Sequence, residues 1–378
     1  MSENERGKAK TPIPVSVLTG FLGSGKTSLL NRLLKDEALA DTAVILNEFG
    51  EIGLDHLLVE TADEGIVELS SGCLCCTIRG DLINTLEGLL RKRDNGRIKP
   101  FDRVVIETTG LADPAPVLHT IMAHPYLVLR YRLDGVIATV DAVNGAASLD
   151  AHKESVKQAA VADRIVLTKT DLVKGAAGKP MLKRLKARLS ALNPAAPILD
   201  AARGEATPEK LFEAGLYNPA TKHPDVARWL SEEAYQADHA HGHDHAQHDV
   251  NRHDAHIRAF TVAIDEAVSL SALEMFLDLL RGMHGPNLLR LKGVVRLEDD
   301  PDRPLVVHGV QHVFHPPVRL DAWPDADRRT RMVLITRDVE RDKVASLLEA
   351  LAGRPKIDTA GPDVLADNPL SLRGEGQT

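Results

Sequence analysis

Pro14-Val15-Ser16-Val17-Leu18-Thr19, running directly into Gly20-Phe21-Leu22-Gly23-Ser24-Gly25-Lys26-Thr27, decides the fold. A short apolar run ends at a glycine, and a helical pattern starts at about residue 26 and continues to about residue 34. The first part reads as a buried parallel strand and the second as a phosphate-binding loop, matched at every defined position. Glycines let backbone N–H groups turn inward onto phosphate oxygens, and the helix N-terminus adds the positive end of its dipole. Gly20, Gly23, Ser24 and Gly25 therefore form the expected cradle. Lys26 is placed to reach the β- and γ-phosphates, and the Thr27 hydroxyl to bind Mg²⁺.

Working outward, residues 42–46, 104–107, 135–140 and 164–168 read as further strands, with helical stretches between them that include 80–92 and 156–162. That alternation specifies an α/β fold, a P-loop NTPase with a doubly wound, mostly parallel sheet and sites at the strand C-termini. The pattern breaks after about residue 218. Residues 257–264 then read as a strand and 269–283 as a helix, followed by strands at 288–296, 305–314 and 331–335 and a closing helix at 340–351. This second unit is a smaller α+β domain. The expected organisation is a flexible N-terminus at 1–11, a P-loop domain at 12–218, a His-rich linker at 219–256, an α+β domain at 257–352 and a flexible tail at 353–378.

Two segments complete the expected nucleotide site. Glu107-Thr108-Thr109-Gly110 ends an apolar strand. A carboxylate there would hold the Mg²⁺ shell through water, and Gly110 would let the backbone approach the γ-phosphate. Thr168-Lys169-Thr170-Asp171 follows the fifth strand of the pattern. A carboxylate at Asp171 can accept the N1–H and N2–H₂ donors of guanine, a pair that adenine lacks, while the Lys169 stem covers the base. Guanine sites of this kind usually begin with Asn, and Thr168 stands there instead, so one base contact is expected to weaken.

All three cysteines fall at Cys73, Cys75 and Cys76. Thiolates bind Zn²⁺ or Cu⁺ strongly, and zinc takes four ligands. The fourth could be water, Glu51, a histidine such as His124, or a ligand from another protein. Asn47-Glu48-Phe49-Gly50-Glu51 follows the second strand, where a switch loop is expected. His239, His241, His243 and His245 place imidazoles on alternate residues, continued by His248, His253 and His256. Such a stretch suits reversible, low-affinity binding of Zn²⁺, Ni²⁺ or Co²⁺. His308 and His312 are expected on one strand face, in a packing or surface role that His315 shares.

Composition narrows the function class. The chain has 378 residues and a formal net charge of −8, with 43% hydrophobic and 3% aromatic residues. That balance argues against nucleic-acid partners and against acidic lipid. No apolar run reaches transmembrane length, and residues 1–11 carry no apolar signal segment, so no membrane partner and a reducing, cytoplasmic location are expected.

Taken in order, Gly-Phe-Leu-Gly-Ser-Gly-Lys-Thr, Asn-Glu-Phe-Gly-Glu, Cys-Leu-Cys-Cys, Glu-Thr-Thr-Gly-Leu-Ala-Asp-Pro and Thr-Lys-Thr-Asp resemble the CobW-type GTPases of the G3E group. Arg290-Leu291-Lys292-Gly293 and Val307-His308-Gly309-Val310-Gln311 resemble the CobW C-terminal domain. The resemblance implies a Mg²⁺-dependent GTPase, cycling between GTP and GDP, that delivers a divalent metal, zinc or cobalt, to a client metalloprotein. Self-association into a homodimer is compatible with it. It implies Cys73, Cys75 and Cys76 as metal ligands, a phosphate cradle that extends to Ser28, and Thr168, Lys169 and Asp171 as guanine readers. Lys26 and Glu107 are then the expected catalytic groups, with Glu51 in a catalytic or coupling role and Glu48 beside the metal. No arginine finger or water-orienting base is identifiable in the sequence, so low turnover is expected. Relatives are also assigned to cobalamin synthesis and nitrile hydratase activation. A nucleotide-stabilised metal buffer or sensor and a small-molecule kinase are the competing readings.

Overall fold

The computed structural model describes residues 12–49, 66–71, 76–212 and 256–353. Seven strands make the first sheet: β1 (Ile13–Gly20), β2 (Thr42–Phe49), β3 (Ile66–Ser71), β4 (Arg103–Glu107), β5 (Tyr131–Asp141), β6 (Arg164–Thr168) and β7 (Ile198–Asp200). Their order is β3-β2-β4-β1-β5-β6-β7, and every neighbouring pair is parallel. The helices between them are α1 (Lys26–Leu33), α2 (Cys76–Asp94), α3 (Ala115–Ala123), α4 (Leu127–Arg130), α5 (Gly145–Ala151), α6 (Lys153–Val161), α7 (Gly178–Leu192) and α8 (Pro208–Leu211). Among the described residues, no helix is long and apolar enough to cross a membrane.

Both faces of this sheet are covered, which is why its strands read as unbroken apolar runs. Leu18, Val44, Val105 and Val166 pack against Leu29, Leu30 and Leu33 of α1. Val15, Val17, Ile45, Ile106 and Val136 face the other way, onto Leu86 and Leu90 of α2, Leu118 of α3 and Val156 of α6. The chain runs out to β2 and β3, returns to insert β4 beside β1, and then builds β5 to β7 on the far side. Such a reversal opens a crevice at the strand C-termini, where β1 and β4 end.

The second sheet is antiparallel: β8 (Ile257–Ile264), β9 (Leu288–Val295), β10 (Leu305–Val310), β11 (Val313–Phe314), β12 (Val318–Arg319) and β13 (Thr330–Arg337), ordered β11-β10-β9-β13-β8 with β12 on β10. Helices α9 (Leu270–His284) and α10 (Arg341–Leu351) cover one face. Phe276 and Leu280 there meet Val262, Leu291 and Met332. The opposite face is largely covered. Leu289, Val294, Val306, Val333 and Ile335 join the same core as Leu118, Val156 and Leu189 of the first unit. Met332 to Ile335 therefore reads as a continuous apolar run because successive side chains enter two different cores.

One sequence expectation is corrected here. Residues 305–314 form two strands, not one, because Gln311 takes a left-handed φ of 53° and turns the chain. His308 and His312 consequently do not share a strand face. His308 lies against His315, with ring centroids 4.0 Å apart. His312 meets His119 of α3 edge-on at 4.2 Å, and His119 Nε2 lies 3.2 Å from the Val310 carbonyl oxygen.

An ionic cluster closes the seam between the sheets. Asp163, between α6 and β6, accepts at Oδ1 from Arg290 Nη2 (2.7 Å) and Lys292 Nζ (2.6 Å) of β9, and at Oδ2 from the Val136 amide (2.9 Å). Burial would raise the Asp163 carboxyl, but the two cations hold it far below the usual carboxylate range. The neighbouring histidines go the other way. Burial, with Arg290 adding to it and Asp163 opposing, pushes His315 down to about 3. Burial first, then His315, Arg290 and Lys292, push His308 well below its ordinary value.

Both imidazoles are neutral in the fold and would charge near pH 6.5 in the unfolded chain. Their contribution to stability is therefore complete above that pH and lost as pH falls. For His315 alone the loss is about 2 kcal/mol at pH 5. The Asp163 contribution is complete above about pH 4 and is lost in the lower window beneath it. Thermal unfolding followed from pH 7.5 to pH 5 should show a falling midpoint, and His315→Gln should flatten that slope. Parallel slopes for the two proteins would show that the pair does not titrate on unfolding.

Candidate nucleotide and metal site

The loop between β1 and α1 is shaped by its glycines. Gly20 has φ 142°, and a Cβ there would lie 2.3 Å from Thr139 Oγ1 and 2.7 Å from Ser24 Oγ. Gly25 caps α1 in a left-handed conformation, φ 87°. The loop is braced from two strands. Ser24 Oγ and Thr139 Oγ1 are 2.6 Å apart, and Thr168 Oγ1 donates to the Ser24 carbonyl at 2.7 Å. Lys26 is buried, with Nζ 3.0 Å from the Gly20 carbonyl and 3.3 Å from that of Phe21. Ser28 is exposed in the first turn of α1.

Glu107, at the end of β4, reaches this loop. Its Oε1 accepts from Thr27 Oγ1 at 2.7 Å. Two hard oxygens thus converge beside the P-loop lysine, a donor set that fits Mg²⁺. Past Glu107 the chain stays pinned to β1, since Thr108 N donates to the Leu18 carbonyl and Thr108 Oγ1 to Thr19 Oγ1. Gly110 then lies against the P-loop. A Cβ there would come within 2.6 Å of the Leu22 amide nitrogen, so only glycine allows this approach.

On the other flank, Lys169 adopts a left-handed φ of 57°, uncommon outside glycine, and turns the chain after β6. Its Nζ donates to the Gly23 carbonyl (2.7 Å) and to Asp141 Oδ2 (2.8 Å). Burial would raise the Asp141 carboxyl, but the Lys169 ammonium and the amides of Val143 and Asn144 hold it below the usual range. Thr170 Oγ1 donates to Asp200 Oδ1 at 2.6 Å, and Asp200 also takes the amides of Ala202 and Arg203. Asp171 is exposed on the resulting turn. Thr168 is buried and its hydroxyl is committed to the P-loop.

Sequence reasoning missed Asp141, Thr139, Asp200 and Gln158. Asp141-Ala142-Val143-Asn144 carried a signal, an Asx-type turn after an apolar strand. Thr139, Asp200 and Gln158 gave none, because their partners lie in distant parts of the chain.

The residues expected at the metal are located through the strand ends. Glu48 lies in β2, paired with Ser70 of β3, and Phe49 pairs with Ser71 at the strand ends. Cys76 opens α2. Cys73, Cys75, Glu51, His241, His243 and His245 lie outside the described residues, as do 1–11, most of 219–256 and nearly all of the tail. Among the described residues, no group of three His, Cys, Asp or Glu side chains could hold a metal ion. His124 accepts the Leu127 amide at Nδ1, 3.4 Å, in the turn after α3. His256 is paired with Asp338 Oδ1 at 2.6 Å, at the start of β8.

Comparison with known proteins follows the same division. Residues 14–200 match the model of the CobW/HypB/UreG nucleotide-binding domain, and residues 257–352 that of the cobalamin synthesis protein cobW C-terminal domain. The zinc chaperone YjiA of Escherichia coli (strain K12) is 34% identical over 340 residues, covering 90% of this chain and 99% of that one. The zinc chaperone CobW of a Sinorhizobium species is 30% identical over 375 residues, covering 90% and 97%. The crystal structure of Zn(II)-bound YjiA GTPase from E. coli superposes with a TM-score of 0.64 at 29% identity, covering 90% of this chain and 99% of that one. With both units matched and relatives aligned from end to end, this chain belongs to the CobW family of P-loop GTPases.

Proposed function

We propose that the chain is a Mg²⁺-dependent, slowly turning-over GTPase that carries Zn²⁺, or Co²⁺, on Cys73, Cys75 and Cys76 and hands it to a client metalloprotein. The observation that carries this reading is the Thr27–Glu107 pair at 2.7 Å, on the same sheet edge as the ends of β2 and β3. The names of the relatives, zinc chaperone and zinc-regulated GTPase metalloprotein activator, support zinc as cargo. Free thiols in this role suit a reducing compartment, and a cytoplasmic location goes with this reading.

In this reading Gly20, Gly23, Ser24, Gly25 and Ser28 cradle the phosphates and Lys26 holds the β- and γ-oxygens. Thr27 would hold Mg²⁺, with Glu107 acting through water. The ion supplies charge neutralisation at the phosphates. Gly110 presents its backbone to the γ-phosphate, and Asp171 reads guanine with the Lys169 stem over the base. The γ-phosphate orders the loops after β2 and β3, around Glu48, Glu51 and the cysteines, and hydrolysis releases them.

GDP should therefore compete with bound guanine nucleotide far better than ADP, because Asp171 finds no paired donors on adenine. Equal affinities would remove the guanine assignment. Lys26→Ala should abolish turnover with little change in the unfolding midpoint.

Zinc affinity, measured in excess Mg²⁺, should be higher with a non-hydrolysable GTP analogue than with GDP. A coupling of about 1–3 kcal/mol corresponds to several-fold to over a hundredfold. Cys75→Ser should erase the difference while nucleotide binding persists. Identical zinc affinities in the two nucleotide states would favour the passive buffer.

Deleting residues 239–256 should leave GTP hydrolysis and one tight zinc site, removing only weaker sites in a metal titration. Loss of the tight site would make the histidines the primary ligands.

A further inference from the structure

Helix α6 touches both the candidate nucleotide site and the second sheet. Gln158, only 1% exposed, donates from Nε2 to the carbonyls of Gly110 (3.2 Å) and Ala112 (3.0 Å). One residue earlier, Lys157 Nζ reaches Asp113 Oδ2 at 2.8 Å. Asp113 Oδ1 in turn accepts the Ala115 amide, tying the segment to the start of α3. A buried amide is costly unless bonded, so the position of Gln158 and that of the Gly110 segment fix each other.

Just beyond the C-terminus of α6, toward the same end of the helix as Gln158, stands Asp163, bonded to Arg290 and Lys292 of β9. There is little slack between Gln158 and Asp163. Asn193 Nδ2 donates to the carbonyls of Ala159, Ala160 and Ala162, closing the helix C-terminus. Val156 and Ala159 share a core with Leu289 and Val294 of β9.

We propose that α6 is a link through which the Gly110 segment and the C-terminal sheet sense each other, with Gln158 as its positioning residue and Asp163 as its anchor. This deepens the proposed function, since it rests on Gly110 lying at the γ-phosphate. A displacement of the Gly110 and Ala112 carbonyls either moves α6 or breaks two buried hydrogen bonds. Movement of α6 carries Asp163, and a buried carboxylate cannot leave its two cations without giving up the ion pairs that hold its own charge. Whatever biases β9, such as a client bound to the C-terminal sheet, then biases the nucleotide segment by the same factor.

Hydrogen exchange on the full chain, with Mg²⁺ and either GDP or a non-hydrolysable GTP analogue, tests this. In the natural sequence the analogue should slow exchange relative to GDP at 110–115, and also at 288–295 by roughly 2- to 30-fold. Nucleotide of either kind should protect 20–27. Gln158→Leu, or Gln158→Met if the first does not fold, should keep the protection at 20–27 and lose the response at 288–295. Asp163→Asn should keep the response at 110–115 and lose that at 288–295. Should that variant not fold, Lys292→Met should reduce the same response while keeping the Arg290 pair. A response at 288–295 that survives Gln158→Leu undiminished, or that is missing from the natural sequence while 110–115 responds, overturns the link. Absence of protection at 20–27 in the natural sequence overturns the nucleotide reading itself, and the link with it.

Discussion

Seven strands running the same way leave all their C-termini on one edge, and that constraint organises the molecule. Gly20, Glu107, Phe49 and Ser71 end adjacent strands in the order β1, β4, β2, β3. At about 4.8 Å per strand, the P-loop strand and the strand before the cysteines are about 14 Å apart. On the proposed reading, an ion and a γ-phosphate at those two places would not touch. The strands themselves are locked in register, Leu46 against Glu107 and Glu48 against Ser70, so they cannot slide to carry a signal. On the proposed reading, communication along the edge would pass through the loops that leave it.

The same reasoning applies to the seam between the sheets. β9 and β13 bury one set of side chains under α9 and α10 and the alternate set against the first unit. A sheet with both faces covered is not a swinging appendage. Asp163 adds direction to that adhesion. Apolar contact tolerates small slips, whereas a carboxylate held by an arginine, a lysine and an amide within 2.6–2.9 Å fixes one alignment. Breaking a buried ion pair by removing one partner typically costs about 3–5 kcal/mol. The ion cluster therefore specifies how the halves dock more than it adds to their attraction.

Local pattern carried the fold far. The apolar runs at residues 14–19, 42–46, 104–107 and 164–168 each lie within a strand, and the glycines of the P-loop declare their turn. The short strand β7 and the strand β3 lacked length or a distinctive period and were not anticipated. The division of 305–314 was hidden because Gln311 is an unremarkable residue forced into a left-handed turn by its hairpin. The site was legible where one residue type has one chemical use, as at Lys26 and Thr27. It was illegible where a polar side chain works through a distant partner. Gln158 lies 48 positions from Gly110 and Asp163 lies 127 from Arg290, and no window along the chain contains both members of either pair.

Thr168 shows how such pairing changes the meaning of a motif. By sequence, a hydroxyl where guanine sites usually carry an amide looks like a weakened base contact. In the fold that position faces the P-loop. The Thr168 hydroxyl donates to the Ser24 carbonyl, and a Cβ at Gly25 would lie only 3.3 Å from the Thr168 methyl. Threonine therefore supplies both the bond and the close packing that hold the loop against β6, and its single donor is already used. On the proposed reading, base discrimination then falls to Asp171 and the Lys169 stem. A charge-assisted, two-donor contact is roughly twice as strong as a neutral hydrogen bond. Losing one neutral contact of about 1 kcal/mol is tolerable for a site that keeps that pair. The substitution separates two tasks, bracing the loop and reading the base, and assigns them to neighbouring residues.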